Sequence, residues 1–110
     1  MTTIDIEKDQ NGMYKTVTCM GHAGYAKRGK EDILCATISY AVINTMNSLE
    51  ELAGEKFECT SNAEDGFIRC VFDQPLKEKS IFLLDSMVYG LQNISKEYGE
   101  KYLIVRIKEV

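Results

Sequence analysis

Apolar and polar residues alternate at the start of the chain. Ile4 and Ile6 are interleaved with Asp5 and Glu7, the period-two pattern of a strand with one buried face. Asn11-Gly12 follows, a dipeptide that favours tight hairpin turns because both residues tolerate a positive φ, and Met13 to Met20 reads as the returning strand. The period then changes. From Ile33 to Ala53, the residues Leu34, Ile38, Ala41, Val42, Thr45, Leu49 and Leu52 recur at helical spacing. Asp32 is placed to cap the start and Gly54 to stop the end. Alternation returns in Lys56 to Thr60 and Phe67 to Asp73, with Asp65-Gly66 as a second hairpin signal; Ile68, Cys70 and Phe72 point one way, Arg69 and Asp73 the other. After Pro75 a second amphipathic helix runs to about Tyr98, with Leu84, Met87, Val88, Leu91 and Ile94 on its apolar side and Gly99 as the stop. Tyr102 to Lys108 closes the pattern as a strand with Leu103, Val105 and Ile107 on one face.

The order ββαββαβ predicts an α+β fold, a mainly antiparallel five-stranded sheet with both helices on one face, as a single domain over residues 1–110. Composition agrees: 45% of the 110 residues are apolar and 27% charged, with one proline, which fits a folded globule rather than a disordered chain. The net charge of -4 argues against an electrostatic grip on nucleic acid or on an anionic membrane. Neither a basic region nor an apolar run follows Met1, so no secretory signal is expected. The uncharged stretch Ile33 to Leu49 is interrupted by Thr37, Ser39, Asn44, Thr45, Asn47 and Ser48, which marks a soluble helix rather than a membrane span. The expected location is the cytoplasm.

That location bears on the four cysteines, because a reducing compartment favours thiols over a disulfide framework. Cys19, Cys35, Cys59 and Cys70 are separated by 16, 24 and 11 positions, with no closely spaced pair to make a zinc knuckle, so no metal and no other cofactor is expected. Cys59, Cys70 and Cys19 fall in strand patterns and read as small core side chains.

Cys35 stands apart. With Asp32 as cap it is the third residue of the helix, in the first turn, where backbone N–H groups and the positive end of the helix favour an anion. A thiolate is such an anion, and a neighbouring imidazolium favours it further. The Asp32 carboxylate opposes this, and on position alone Cys35 reads equally as a reactive thiol or a core helical cysteine. His22 is the single histidine, set between Gly21 and Gly24 at a strand end, and the loop after it leads to Cys35. Read by itself it is a surface histidine; a strand end and a helix start joined by a loop readily lie side by side.

The run Gly21-His22-Ala23-Gly24-Tyr25-Ala26, followed by Gly29 and by Asp32-Ile33-Leu34-Cys35-Ala36 with Ser39 one turn on, resembles the ribosomal-processing cysteine protease family of bacteria, Prp. Thr37 stands where that family more often has alanine. The resemblance extends to the element order and so to the whole chain. It implies a cysteine endopeptidase that removes a short N-terminal extension from large-subunit ribosomal protein twenty-seven and that works as a homodimer. Cys35 then corresponds to the nucleophile and His22 to its partner, with Asp32 and Ser39 as supporting candidates.

The chemical roles follow. His22 holds Cys35 as thiolate, or takes its proton during attack, then protonates the leaving amine. The backbone N–H groups of Cys35 and Ala36 are the nearest donors for the oxyanion. The loop from Ala23 to Glu31, with Gly21 and Gly24 at its entry and Tyr25, Lys27, Arg28, Gly29 and Lys30 along it, is expected to close over the substrate. Two rival readings stand beside this one. In the first, the chain is a non-enzymatic, ribosome-associated peptide-binding domain with Cys35 in its core. In the second, it is a thiol redox switch; no resolving cysteine is adjacent in sequence, although Cys19 can come close in space.

Overall fold

In a computed structural model, residues 1–21, 33–62 and 64–110 are described. Strands β1 (Thr2–Lys8) and β2 (Tyr14–Gly21) form a hairpin, α1 covers Ile33–Glu51, β3 (Glu58–Asn62) and β4 (Phe67–Val71) form a second hairpin, and α2 (Glu78–Tyr98) precedes β5 (Leu103–Glu109). The predicted order ββαββαβ is the observed one. The strands lie in the order β3-β4-β2-β1-β5. Neighbours are antiparallel except β1 and β5, which pair in parallel from Thr2 opposite Leu103 to Lys8 opposite Glu109, so the sheet is mixed.

The pairing explains why both helices share a face. Strands β2 and β3 both oppose β4 and therefore run in one direction, and α1 joins them; β4 and β5 run the other way, and α2 joins those. Each helix is thus a crossover between parallel strands, and such crossovers are right-handed. The two differ in strand direction and also in the edge toward which the chain moves. Reversing both leaves the helix on the same side.

On that side the pleat points Ile4 and Ile6 inward, opposite Cys19 and Val17, and Cys70 opposite Val17 extends the layer. Leu34, Ile38, Val42 and Leu49 of α1 close over it with Leu84 and Leu91 of α2, all buried in one cluster. The other face is polar, and there Arg106 donates two hydrogen bonds to Asp5, at 2.7 and 2.9 Å. Those bonds hold the Asp5 carboxyl below the usual carboxylate range, against the opposing pull of burial. In the core, Tyr14 is buried with its hydroxyl donating to Asp85 at 2.6 Å; burial first, then that bond, pushes the phenol pKa up.

Some expectations need correction. Leu52, assigned to the buried stripe of the first helix, is 73% exposed, because α1 ends at Glu51 and the chain turns away. The outward flank of α1 carries the exposed apolar residues Ile33, Tyr40 and Ile43, so the helix is buried on one side alone. Cys59 is not a core side chain: it is exposed and disulfide-bonded to buried Cys70. The β3–β4 register sets these two residues directly opposite each other on the helix-facing side, which brings the sulfur atoms together.

The two helix ends are clamped by residues far apart in sequence. Lys77, at the start of α2, makes no side-chain cap, but the Glu55 carboxylate accepts its N–H at 2.8 Å and the hydroxyl of buried Ser80 at 2.8 Å. In return, the Lys77 ammonium donates to the carbonyls of Ala53 and Gly54 beyond the end of α1. Burial is the largest single influence on Glu55 and raises its pKa, but these hydrogen bonds and the charges of Lys77 and Lys79 outweigh it, and the net direction is down. Glu55→Ala, which strands the Ser80 hydroxyl, is therefore expected to cost about 1–2 kcal/mol at neutral pH. A depressed carboxyl stabilises the fold above its unfolded pKa, near ~4.3, and loses that contribution as pH falls through the folded value. Urea midpoints at neutral and acid pH should thus show the gap between wild type and variant narrowing in acid; a gap that widens would refute the charge assignment.

Candidate active site

Helix α1 begins at Ile33, which makes Cys35 its third residue, in the first turn and half-buried. Backbone N–H groups point out of this end of a helix, and no acidic residue lies in the first turn. Ala36 is exposed on the same turn, and Ser39 follows one turn later, half-buried. The Thr37 hydroxyl bonds back to the carbonyl of Ile33 at 2.8 Å, which spends it on the helix rather than on chemistry.

Cys35 and Ser39 open onto a cavity of about 300 Å³. Its floor is the end of the first hairpin, with Thr2, Cys19 and Gly21; Ile38 and Ile43 continue the α1 wall. The wall opposite is the tip of the second hairpin, with Ser61, Asn62, Phe67 and Ile68. Two thiols therefore border one void. Cys19 is buried, and burial first, then the neighbouring Cys35, pushes its pKa up to about 11. Gly21 closes the floor at φ +94°, and a Cβ there would sit 2.5 Å from the carbonyl oxygen of Met1.

The structure thus brings together three of the residues singled out in the sequence, Gly21, Cys35 and Ser39, while Ala36 follows Cys35 in α1, exposed and outside the cavity lining. His22, Gly24, Tyr25, Lys27, Arg28, Gly29 and Asp32 lie outside the described residues. Sequence reasoning missed the hairpin wall. The Asp65-Gly66 turn signals the hairpin, but its place opposite α1 depends on the β2–β4 pairing, which no local pattern encodes. Among the described residues no group of His, Cys, Asp and Glu side chains is arranged to hold a metal ion, and no helix is long and apolar enough to cross a membrane.

Comparison with known proteins places this arrangement. The profile of the family described as cysteine protease Prp matches residues 1–103. The ribosomal processing cysteine protease Prp of Staphylococcus aureus (strain Mu50 / ATCC 700699) is 27% identical over 100 residues, covering 91% of this chain and 93% of that protein. Its counterpart from Bacillus subtilis (strain 168) is 27% identical over 84 residues, covering 73% and 74%. Among solved structures, the essential ribosomal processing protease Prp from S. aureus, in complex with a covalently linked product peptide, superposes with a TM-score of 0.85 at 25% identity, over 100% of both chains. SMU.848 from Streptococcus mutans shares the fold, with a TM-score of 0.85 at 24% identity over 100% of this chain and 96% of that one. On the family profile, which spans nearly the whole sequence, the chain belongs to the cysteine protease Prp family.

Proposed function

We propose that this chain is a cysteine endopeptidase that removes the N-terminal extension of a large-subunit ribosomal protein, number twenty-seven, with Cys35 as nucleophile and His22 as its proton partner. The observation that carries this reading is the seat of Cys35, half-buried in the first turn of α1 and facing a cavity walled largely by apolar side chains. A peptide entering there sheds water, and the groups that stabilise developing charge gain strength as it does. The thiolate adds to the scissile carbonyl, the N–H groups of Cys35 and Ala36 receive the oxyanion, and His22 protonates the leaving amine. Water then hydrolyses the thioester. Asp32 and Ser39 act as supporting residues, and Gly21, Gly24, Tyr25, Lys27, Arg28 and Gly29 belong to the segment that receives the substrate.

In this reading the chain works in the cytoplasm as a homodimer. In support, the flank of α1 exposes Ile33 and Tyr40, and α2 exposes Phe82 and Tyr89, large apolar side chains of the kind that oligomer interfaces cover. The test is to incubate the extended ribosomal protein with wild type, Cys35→Ala and His22→Ala and to identify products by mass spectrometry. Wild type should release one N-terminal peptide, while both variants bind the substrate without cutting it. Cleavage that persists in both variants, or binding by wild type with no cleavage, would overturn the assignment.

A further inference from the structure

Cys19 has no part in the chemistry just described, yet it borders the same cavity as Cys35. It sits on the helix-facing side of β2, opposite Ile4 and Ile68, below the first turn of α1. The other cysteines of that face, Cys59 and Cys70, are bonded to each other, which leaves Cys19 and Cys35 as the two thiols. We propose that Cys35 is a site of reversible oxidation by hydroperoxides and that Cys19 is its resolving thiol, the two forming a disulfide across the cavity.

The Cys35 thiolate attacks one oxygen of the hydroperoxide, the O–O bond breaks, and hydroxide or alkoxide departs with two electrons fewer on sulfur, which becomes a sulfenic acid. The Cys19 sulfur then attacks the Cys35 sulfur and gives up its proton; the S–S bond forms, the S–O bond breaks, and water leaves. Two thiols have been oxidised and one peroxide reduced. Cys19 and Cys35 both line the 300 Å³ void, near enough for Cys35 to act electrostatically on Cys19, and the first turn is the part of a helix that adjusts most easily. Part of the pressure that keeps Cys19 protonated comes from Cys35 itself, and it disappears once Cys35 carries the uncharged sulfenic acid. The consequence is protection: a thiol positioned to react with a carbonyl is also exposed to irreversible over-oxidation, and an internal partner halts the ladder at its first rung.

Hydrogen peroxide is the probe. Wild type treated with it should yield a cross-linked peptide pair joining Cys19 to Cys35 in a non-reducing mass map, a readout that needs no activity and so separates this proposal from the protease assignment. Lost peptidase activity should return fully with dithiothreitol. In Cys19→Ala and Cys19→Ser, each confirmed as folded by its melting curve, the same treatment should leave Cys35 as sulfinic or sulfonic acid, with no recovery. A wild-type map without the 19–35 bridge, a bridge from Cys19 to Cys59 or Cys70 instead, or full rescue of both variants would overturn it.

Discussion

Cys35→Ala is expected to slow peptide cleavage by about ten-thousand-fold or more while binding of the peptide stays within about twofold of wild type. In the proposed mechanism the sulfur is needed in the bond-making step, whereas the expected peptide contacts fall on the cavity walls, which Ile38, Ile43, Phe67 and Ile68 line. Stability should hardly move. Cys35 is half-buried beside an existing void, so removing one sulfur leaves no new sealed cavity, and a change within ~0.5 kcal/mol is expected. Cys35→Ser keeps the shape but offers a hydroxyl that stays protonated at neutral pH, and it should fare little better in turnover. Single-turnover kinetics, together with calorimetric binding of an uncleaved peptide, separate the effects. Activity retained in Cys35→Ala and lost in Cys19→Ala would move the nucleophile to the other thiol of the cavity.

How far the sequence foretold this arrangement depends on the range of the interaction concerned. Elements were legible because their periods are local: Ile4 and Ile6 in β1, and Leu34, Ile38, Val42 and Leu49 in α1, face the core as their spacing implies. Cys35 as third helical residue was expected from Asp32 as cap; the helix does begin at Ile33, while Asp32 itself lies outside the described residues. The parallel β1–β5 pair was not, because it joins the two ends of the sequence and carries no turn signal. The disulfide is a sharper case. A two-residue turn at Asp65-Gly66 would set Cys59 opposite Phe72; in the structure the last pair is Asn62 with Phe67, four residues lie between them, and Cys59 falls opposite Cys70. Hairpin loop length, which residue preferences constrain loosely, thus decided whether two cysteines meet. The same register carries Ser61 and Asn62 to the cavity, so the wall that was missed and the bond that was missed share one cause.

Gly21→Ala should be more damaging than the same change at Gly12, Gly54, Gly90 or Gly99, with an expected loss of about 2–4 kcal/mol and a matching loss of cleavage. Two separate costs act at this residue. Its φ of +94° lies where a side chain is strained, and a Cβ would stand 2.5 Å from the carbonyl oxygen of Met1, which is backbone and not a flexible side chain. Relief requires the start of β1 to move. That start is the cavity floor: Gly21 pairs with Thr2, and both line the void that Cys35 faces. Gly21 also directly precedes His22 in the sequence, the residue assigned as proton partner in the proposed mechanism. Gly12→Ala is the control. It has a comparable φ of +79° but nothing within 4 Å of its Cβ, so it carries the strain without the collision and should lose about 1 kcal/mol with cleavage unchanged. Urea unfolding midpoints and cleavage rates on the two variants decide the matter. Equal losses in both would mean that backbone strain alone keeps glycine at position 21, and that the close approach of the Met1 carbonyl does not shape the site.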